Sequence, residues 1–210
     1  MLDLALTSAV ALLVTIDPIG TGPVFAALTR GSDDAHRRLM AVKGVLIAAC
    51  ILFVFAFAGN FLLRALGIGL PAFRIAGGIL LLLLAIDMAF ARPSGLRSTT
   101  EPEQAEASLK DDISVFPLAI PLIAGPGALT SLLLLMGRTE GDILGQAVVL
   151  GVLALVLLTN LGVLLAAAKV TKLMGVTGVN VVNRILGILL AALACQFVID
   201  GIMQSGIVRT

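Results

Sequence analysis

Long stretches with almost no charge constrain this chain more than any other feature of its sequence. Each holds at most two charged residues, and together they cover residues 4–29, 44–63, 69–91, 113–137, 143–168 and 185–199. A helix needs about 20 apolar residues to cross the hydrocarbon layer of a bilayer, which is about 30 Å thick. The sequence therefore predicts an all-α polytopic membrane protein with six transmembrane helices.

The composition supports this class and excludes others. Hydrophobic residues make up 59% of the 210 residues and charged residues 13%, whereas a soluble domain carries about 25% charge. A net charge of +1 without a basic face argues against a nucleic-acid partner. With a single histidine, His36, and no CxxC motif, we expect no metal site and no cofactor.

The distribution of lysine and arginine predicts the orientation. Ten of these residues fall on one side of a six-span topology and four on the other, or nine and five if the first and fourth segments are re-entrant. The positive-inside rule places the richer side in the cytoplasm. Both termini are then periplasmic, and the polar linker at 92–112 is cytoplasmic.

Two sequence words occur twice in the same order. PxxxGP occurs at 18–23 and again at 121–126, offset by 103, and a word that begins at Arg74 matches one that begins at Arg184, offset by 110. These matches predict two three-helix repeats, residues 1–91 and 113–210. Because each repeat holds an odd number of spans, the repeats are inverted, as in many secondary transporters and in some channels.

The PxxxGP words lie at the centres of their apolar stretches. Proline removes a backbone donor and glycine adds freedom, so helices 1 and 4 are predicted to be broken at the membrane midplane. Simple kinking of both helices is the alternative. The predicted substrate-binding residues are Asp17, Pro18, Gly20, Thr21, Gly22, Pro23, Pro121, Ala124, Gly125, Pro126, Gly127 and Thr130.

Asp17 is the one charge in the first segment, and it lies near the segment's centre. Intramembrane acids usually mark an ion or substrate path, so Asp17 is predicted to bind the coupling ion or an amino group. Its position before a proline also fits a role restricted to helix capping. Ile120 occupies the equivalent place in the second half. Arg74 and Arg184 are expected to extend to the headgroups.

These words resemble the signatures of the MarC family of bacterial inner-membrane proteins. The stretch 17–29 is similar to that family's DPxGxxP signature, and 116–130 looks like its second signature. The blocks 73–80, 86–87, 183–191 and 196–201 are similar to the rest. The resemblance implies a LysE-like transporter grouping and, for its SnatA-like members, transport of glycine and alanine.

The leading hypothesis is therefore a secondary transporter of small neutral amino acids in the inner membrane, coupled to H⁺ or Na⁺. It is not expected to be an enzyme: an intramembrane aspartyl protease needs two acids at one depth, whereas Asp87 and Asp200 end their segments. The alternatives are a passive channel for small solutes and a non-transporting assembly or regulatory protein. The sequence predicts no oligomeric state.

Overall fold

The computed structural model describes residues 1–29, 31–90 and 112–206, and the regular elements in these residues are all helices. The predicted all-helical class is confirmed. The predicted linker 92–112 lies outside the described residues, apart from Asp112. The helices are α1 (Leu2–Ile16), α2 (Pro18–Leu28), α3 (Asp34–Ala65), α4 (Leu70–Ala89), α5 (Ser114–Ile123), α6 (Pro126–Arg138), α7 (Ile143–Leu165) and α8 (Ala167–Gln204).

Several of these helices, alone or joined to the next helix along the chain, are long and apolar enough to cross a membrane. Five such spans are present in the described chain, and α5 with α6 makes a sixth if this pair, bent by 54°, is one span. The chain is therefore a multi-pass membrane protein. The five spans are Leu2–Leu28, Asp34–Ala65, Leu70–Ala89, Ile143–Leu165 and Thr177–Gln204.

Two ion pairs show how far the bent pair α5–α6 extends. Asp112, just before α5, pairs with Lys43, and Glu140, just after α6, pairs with Arg64. The stretch of α3 between Lys43 and Arg64 covers about 30 Å at about 1.5 Å per residue, close to the hydrocarbon thickness. The pair α5–α6 therefore runs the same distance, which favours six spans over five. Hydrogen bonds from Lys43 and Ser114 hold the pKa of Asp112 below its usual range.

The first apolar segment is interrupted at Asp17. This residue has left-handed backbone geometry (φ 49°, ψ 68°), and it separates α1 from α2. The prediction that Gly22-Pro23 itself interrupts the helix is wrong, because α2 continues through Pro23. The clash that disfavours a helical residue before proline involves that residue's Cβ, and Gly22 has none.

The fourth apolar segment is irregular over a longer stretch. α5 is a widened helical segment with extended backbone at Phe116 and at Ile120 (φ −128°, ψ 126°), and the peptide bonds before Pro117 and Pro121 are cis. After α5 ends, Gly125 is extended (φ −79°, ψ 174°) and α6 begins at Pro126. At Gly125-Pro126, unlike Gly22-Pro23, the chain does leave the helix.

α4 and α8 are antiparallel and approach each other closely. A Cβ added at Gly78 would lie 2.8 Å from the carbonyl oxygen of Ala194, and one added at Gly187 would lie 2.7 Å from the backbone nitrogen of Ala89. Small residues allow this backbone contact between membrane helices. α4 and α8 therefore form a tightly joined pair.

The remaining helices pack across the two halves of the chain. α3 packs on α5 and α6, and α7 packs on α1 and α2. One apolar core joins all six of these helices, and its fully buried members include Leu12, Leu52, Leu118, Leu132 and Leu153. The packing of each half therefore depends on the other half.

Candidate functional site

The candidate site begins at the turn between α1 and α2. Asp17 is 4% exposed, although it lies within an apolar span of 27 residues. Its Oδ1 accepts a hydrogen bond of 3.0 Å from the backbone N–H of Gly20, so the carboxylate caps α2. Aspartate tolerates left-handed geometry better than most residues. The capping role is thus present.

A buried hydrogen bond joins this turn to α7. The hydroxyl of Thr21 donates to Oδ1 of Asn160 at 3.0 Å, and it also lies 3.0 Å from the carbonyl oxygen of Asp17 and 3.2 Å from that of Pro18. Asn160 is fully buried, and its Nδ2 has no hydrogen-bond partner in the part of the chain that the structure describes. An unpaired buried donor costs about 1–3 kcal/mol. The site therefore holds an unused amide donor beside the Asp17 turn.

The start of α6 lies against the end of α1. A Cβ added at Gly127 would be 3.8 Å from Cβ of Thr15, two residues before Asp17. Thr130 packs its methyl group against Gly77 of α4, where an added Cβ would lie 2.5 Å away. The structure thus brings the end of α1 and the start of α6 into contact.

The predicted site residues differ in exposure. Almost all of them are at least partly buried, and Pro126 is exposed. Those classed as buried are Asp17, Pro18, Thr21, Gly22, Ala124 and Thr130, and those partly buried are Gly20, Pro23, Pro121, Gly125 and Gly127. Asp17 and Thr21 are each 4% exposed. This conformation is therefore closed around the Asp17 turn.

Gly22 and Gly125, which precede the second proline of each PxxxGP word, are not equivalent. A Cβ at Gly22 would meet a side-chain atom, Cγ1 of Val163, at 3.2 Å, whereas a Cβ at Gly125 would lie 2.4 Å from the backbone carbonyl oxygen of Pro121. Gly125 is therefore required by the local backbone, whatever the site binds. Gly22 is required less strictly.

Three buried polar residues lie outside the predicted set of substrate-binding residues. Asn160 is one of them, and the hydroxyls of Ser8 and Ser131 are also fully buried without a hydrogen-bond partner among the described residues. The signal in the sequence was a polar residue inside an apolar stretch, which is too common in membrane helices to single out one position. In the described ranges, no group of three or more His, Cys, Asp or Glu side chains is arranged to hold a metal ion.

Polar groups of different kinds lie in this region. Asp17 accepts a hydrogen bond through its side chain, the Asn160 amide is a donor, and α6 begins with backbone N–H groups that favour negative charge.

A bundle of apolar helices with a buried acid at an interrupted span defines this chain as an integral, multi-pass membrane protein. The chain belongs to the MarC family, because the family described as "MarC family integral membrane protein" matches residues 2–205. The resemblance stated above is confirmed at the level of the family.

Similar proteins come from archaea and bacteria. The chain is 38% identical to the UPF0056 membrane protein MJ1677 of Methanocaldococcus jannaschii, over 89% of this chain and 90% of the relative. It is 34% identical to the UPF0056 membrane protein YvbG of Bacillus subtilis, with 92% and 91% covered. It is also 34% identical to the UPF0056 inner membrane protein YhgN of Escherichia coli, with 94% and 95% covered. No solved structure matches the chain.

Proposed function

We propose that this protein is a secondary transporter of small neutral amino acids such as glycine and alanine, coupled to H⁺ or Na⁺. The observation that carries the proposal is the buried Asp17 carboxylate at an interrupted helix near the middle of a 27-residue apolar span. A charge at that depth is costly, so it is retained mainly where it faces a path or a site. Asp17 binds the amino group or the coupling ion in this proposal.

Repeated contacts support an inverted repeat. At Gly78 an added Cβ would meet the Ala194 oxygen and the Val198 nitrogen, and at Gly187 it would meet the Ala85 oxygen and the Ala89 nitrogen. Each position in one contact has a counterpart in the other contact that is 109 residues away. Gly78 corresponds to Gly187, Ala85 to Ala194, and Ala89 to Val198. Such an exchange of roles is what a two-fold axis between α4 and α8 produces.

Helix packing supports the same relation. α3 contacts α5 and α6 of the second half, and α7 contacts α1 and α2 of the first half. The interruptions also correspond, because Ile120, at the position equivalent to Asp17, has extended backbone. In the proposed mechanism, the two halves rock about the axis and expose the site to each side in turn.

Flux measured in proteoliposomes tests the proposal. With unlabelled alanine or glycine inside, we expect external labelled substrate to accumulate transiently by counterflow, because a carrier exchanges bound solute across the membrane. Uptake is expected to saturate and to respond to an imposed H⁺ or Na⁺ gradient. Vesicles without protein are the control. Non-saturating flux without counterflow indicates a channel, and no protein-dependent flux contradicts transport altogether.

We propose that the protein lies in a bacterial inner membrane, as the name of the relative YhgN states for that protein. In the proposed orientation both termini are periplasmic. Exposed positions at opposite ends of α3 test it after the exposed Cys50 and Cys195 are replaced by alanine. An impermeant maleimide on cells with a permeabilised outer membrane is expected to label Leu66→Cys. Ala35→Cys should be labelled only after lysis, and the reverse pattern contradicts the orientation.

A further inference from the structure

Arg74, near the start of α4, is a buried arginine whose hydrogen-bond partner is a neutral side chain. It is 5% exposed, so it does not extend to the headgroups as expected from its position. Its Nη1 donates to Oε1 of Gln204 in the last turn of α8, and its Nε has no hydrogen-bond partner within the described ranges. Buried charges are usually paired with an opposite charge. For Arg74, the hydrogen-bond acceptor is an amide oxygen instead of the carboxylate that a buried arginine usually has.

The acid near Arg74 is already engaged by other groups. Oδ2 of Asp200 accepts a hydrogen bond from Nη2 of Arg138, and its Oδ1 accepts one of 2.7 Å from Nε2 of Gln196. Arg138 also stacks on the ring of Phe197, with its guanidinium carbon 4.7 Å from the ring centre. Gln204 and Asp200, the acceptors of Arg74 and Arg138, are four residues apart on α8, so the two guanidinium groups lie on the same part of that helix.

Other acids at this end of the bundle are engaged by groups other than Arg74. Glu140 pairs with Arg64, and Asp142 accepts a hydrogen bond of 3.0 Å from the backbone of Gly145 as it caps α7. Neither acid is therefore the partner of Arg74, whose described hydrogen-bond acceptor is the neutral Gln204 oxygen.

We propose that Arg74, together with Arg138, binds an oxyanion at this end of the bundle. The oxyanion is the carboxylate of a small solute or the phosphate of a lipid headgroup, since the guanidinium fork recognises both. The neutral side-chain oxygen of Gln204 accepts one hydrogen bond from Arg74. Gln204 is the last residue of α8, and rotation of its side chain would release the guanidinium for the oxyanion. The site is separate from the Asp17 turn and does not depend on amino acid transport.

Thermal unfolding of the purified protein tests the site in dodecyl maltoside, a detergent without charge. Sodium acetate is compared with sodium chloride at equal ionic strength, and phosphatidylglycerol is added in a separate arm. We expect at least one probe to raise Tm by about 2–4 °C, and Arg74→Gln to abolish the increase. Arg184→Gln, at an exposed arginine of α8, should retain it. The arm that responds identifies the source of the oxyanion.

Gln204→Glu provides a second test that leaves Arg74 in place. The new carboxylate should pair with Arg74, so Tm without a probe is expected to rise and the response to both probes to disappear. The proposal is overturned if neither probe changes Tm, or if the change is the same in Arg74→Gln and the unaltered chain. If Arg74→Gln does not fold, a retained probe response in Gln204→Glu overturns it. Asp17→Asn should retain the response, which separates this result from failure of the transport proposal.

Discussion

Asp17→Asn is expected to reduce amino acid flux at least about tenfold while the protein remains folded. Asparagine accepts the same capping hydrogen bond and tolerates the same left-handed backbone, so the substitution removes the charge and preserves the turn. A hydrogen bond to a charged group contributes about 1.5–3 kcal/mol, which corresponds to a loss of tenfold or more. Counterflow in proteoliposomes is the measurement, with Tm recorded for each variant.

Asp3→Asn is the matched control, because Asp3 lies in the first turn of α1 and is exposed. Its flux should equal that of the unaltered chain. If Asp17→Asn also transports at the normal rate with the normal ion dependence, the carboxylate only caps α2. The proposed function would then lose the observation that carries it.

Gly125→Ala should lower Tm more than Gly22→Ala, the matching substitution in the first PxxxGP word. The added Cβ would lie 2.4 Å from the backbone oxygen of Pro121, and a carbonyl group fixed in the chain cannot turn away as a side chain can. We expect a loss of about 3 kcal/mol, or about 6–12 °C for a chain of this size. Thermal unfolding of monodisperse protein is the measurement.

Two alanine variants calibrate this effect. Gly151→Ala adds a Cβ with no atom within 4 Å and should leave Tm almost unchanged. Gly22→Ala meets only Cγ1 of Val163, at 3.2 Å, so its loss should be small. Equal losses at Gly22 and Gly125 would show that the steric difference between the two words is unimportant.

The spans followed from the sequence because hydrophobicity and charge alone determine them. The predicted stretch 143–168 agrees with α7 to within three residues at its end. α3 begins at Asp34, ten residues before the apolar stretch at 44, because the Asp33 side chain caps it at the backbone of His36. Charged residues continue a helix readily outside the hydrocarbon, so the apolar stretch underestimates its length.

The site was predictable only in part, because it depends on which faces of the helices meet. The Asp17 turn follows from an acid before a proline, but the continuation of α2 through Pro23 depends on the missing Cβ of Gly22. The contact of Thr21 with Asn160 and the burial of Arg74 depend on packing between helices. No periodicity in a single segment specifies either of them.

Packing across the two halves has a consequence for insertion into the membrane. The surfaces of α1, α2 and α3 are covered by α5, α6 and α7, which the ribosome makes later. The partner of Thr21, Asn160, is synthesised 139 residues after it. During that interval Thr21 lacks its final partner, so we expect the Asp17 turn to reach its final packing only after α7 has been made.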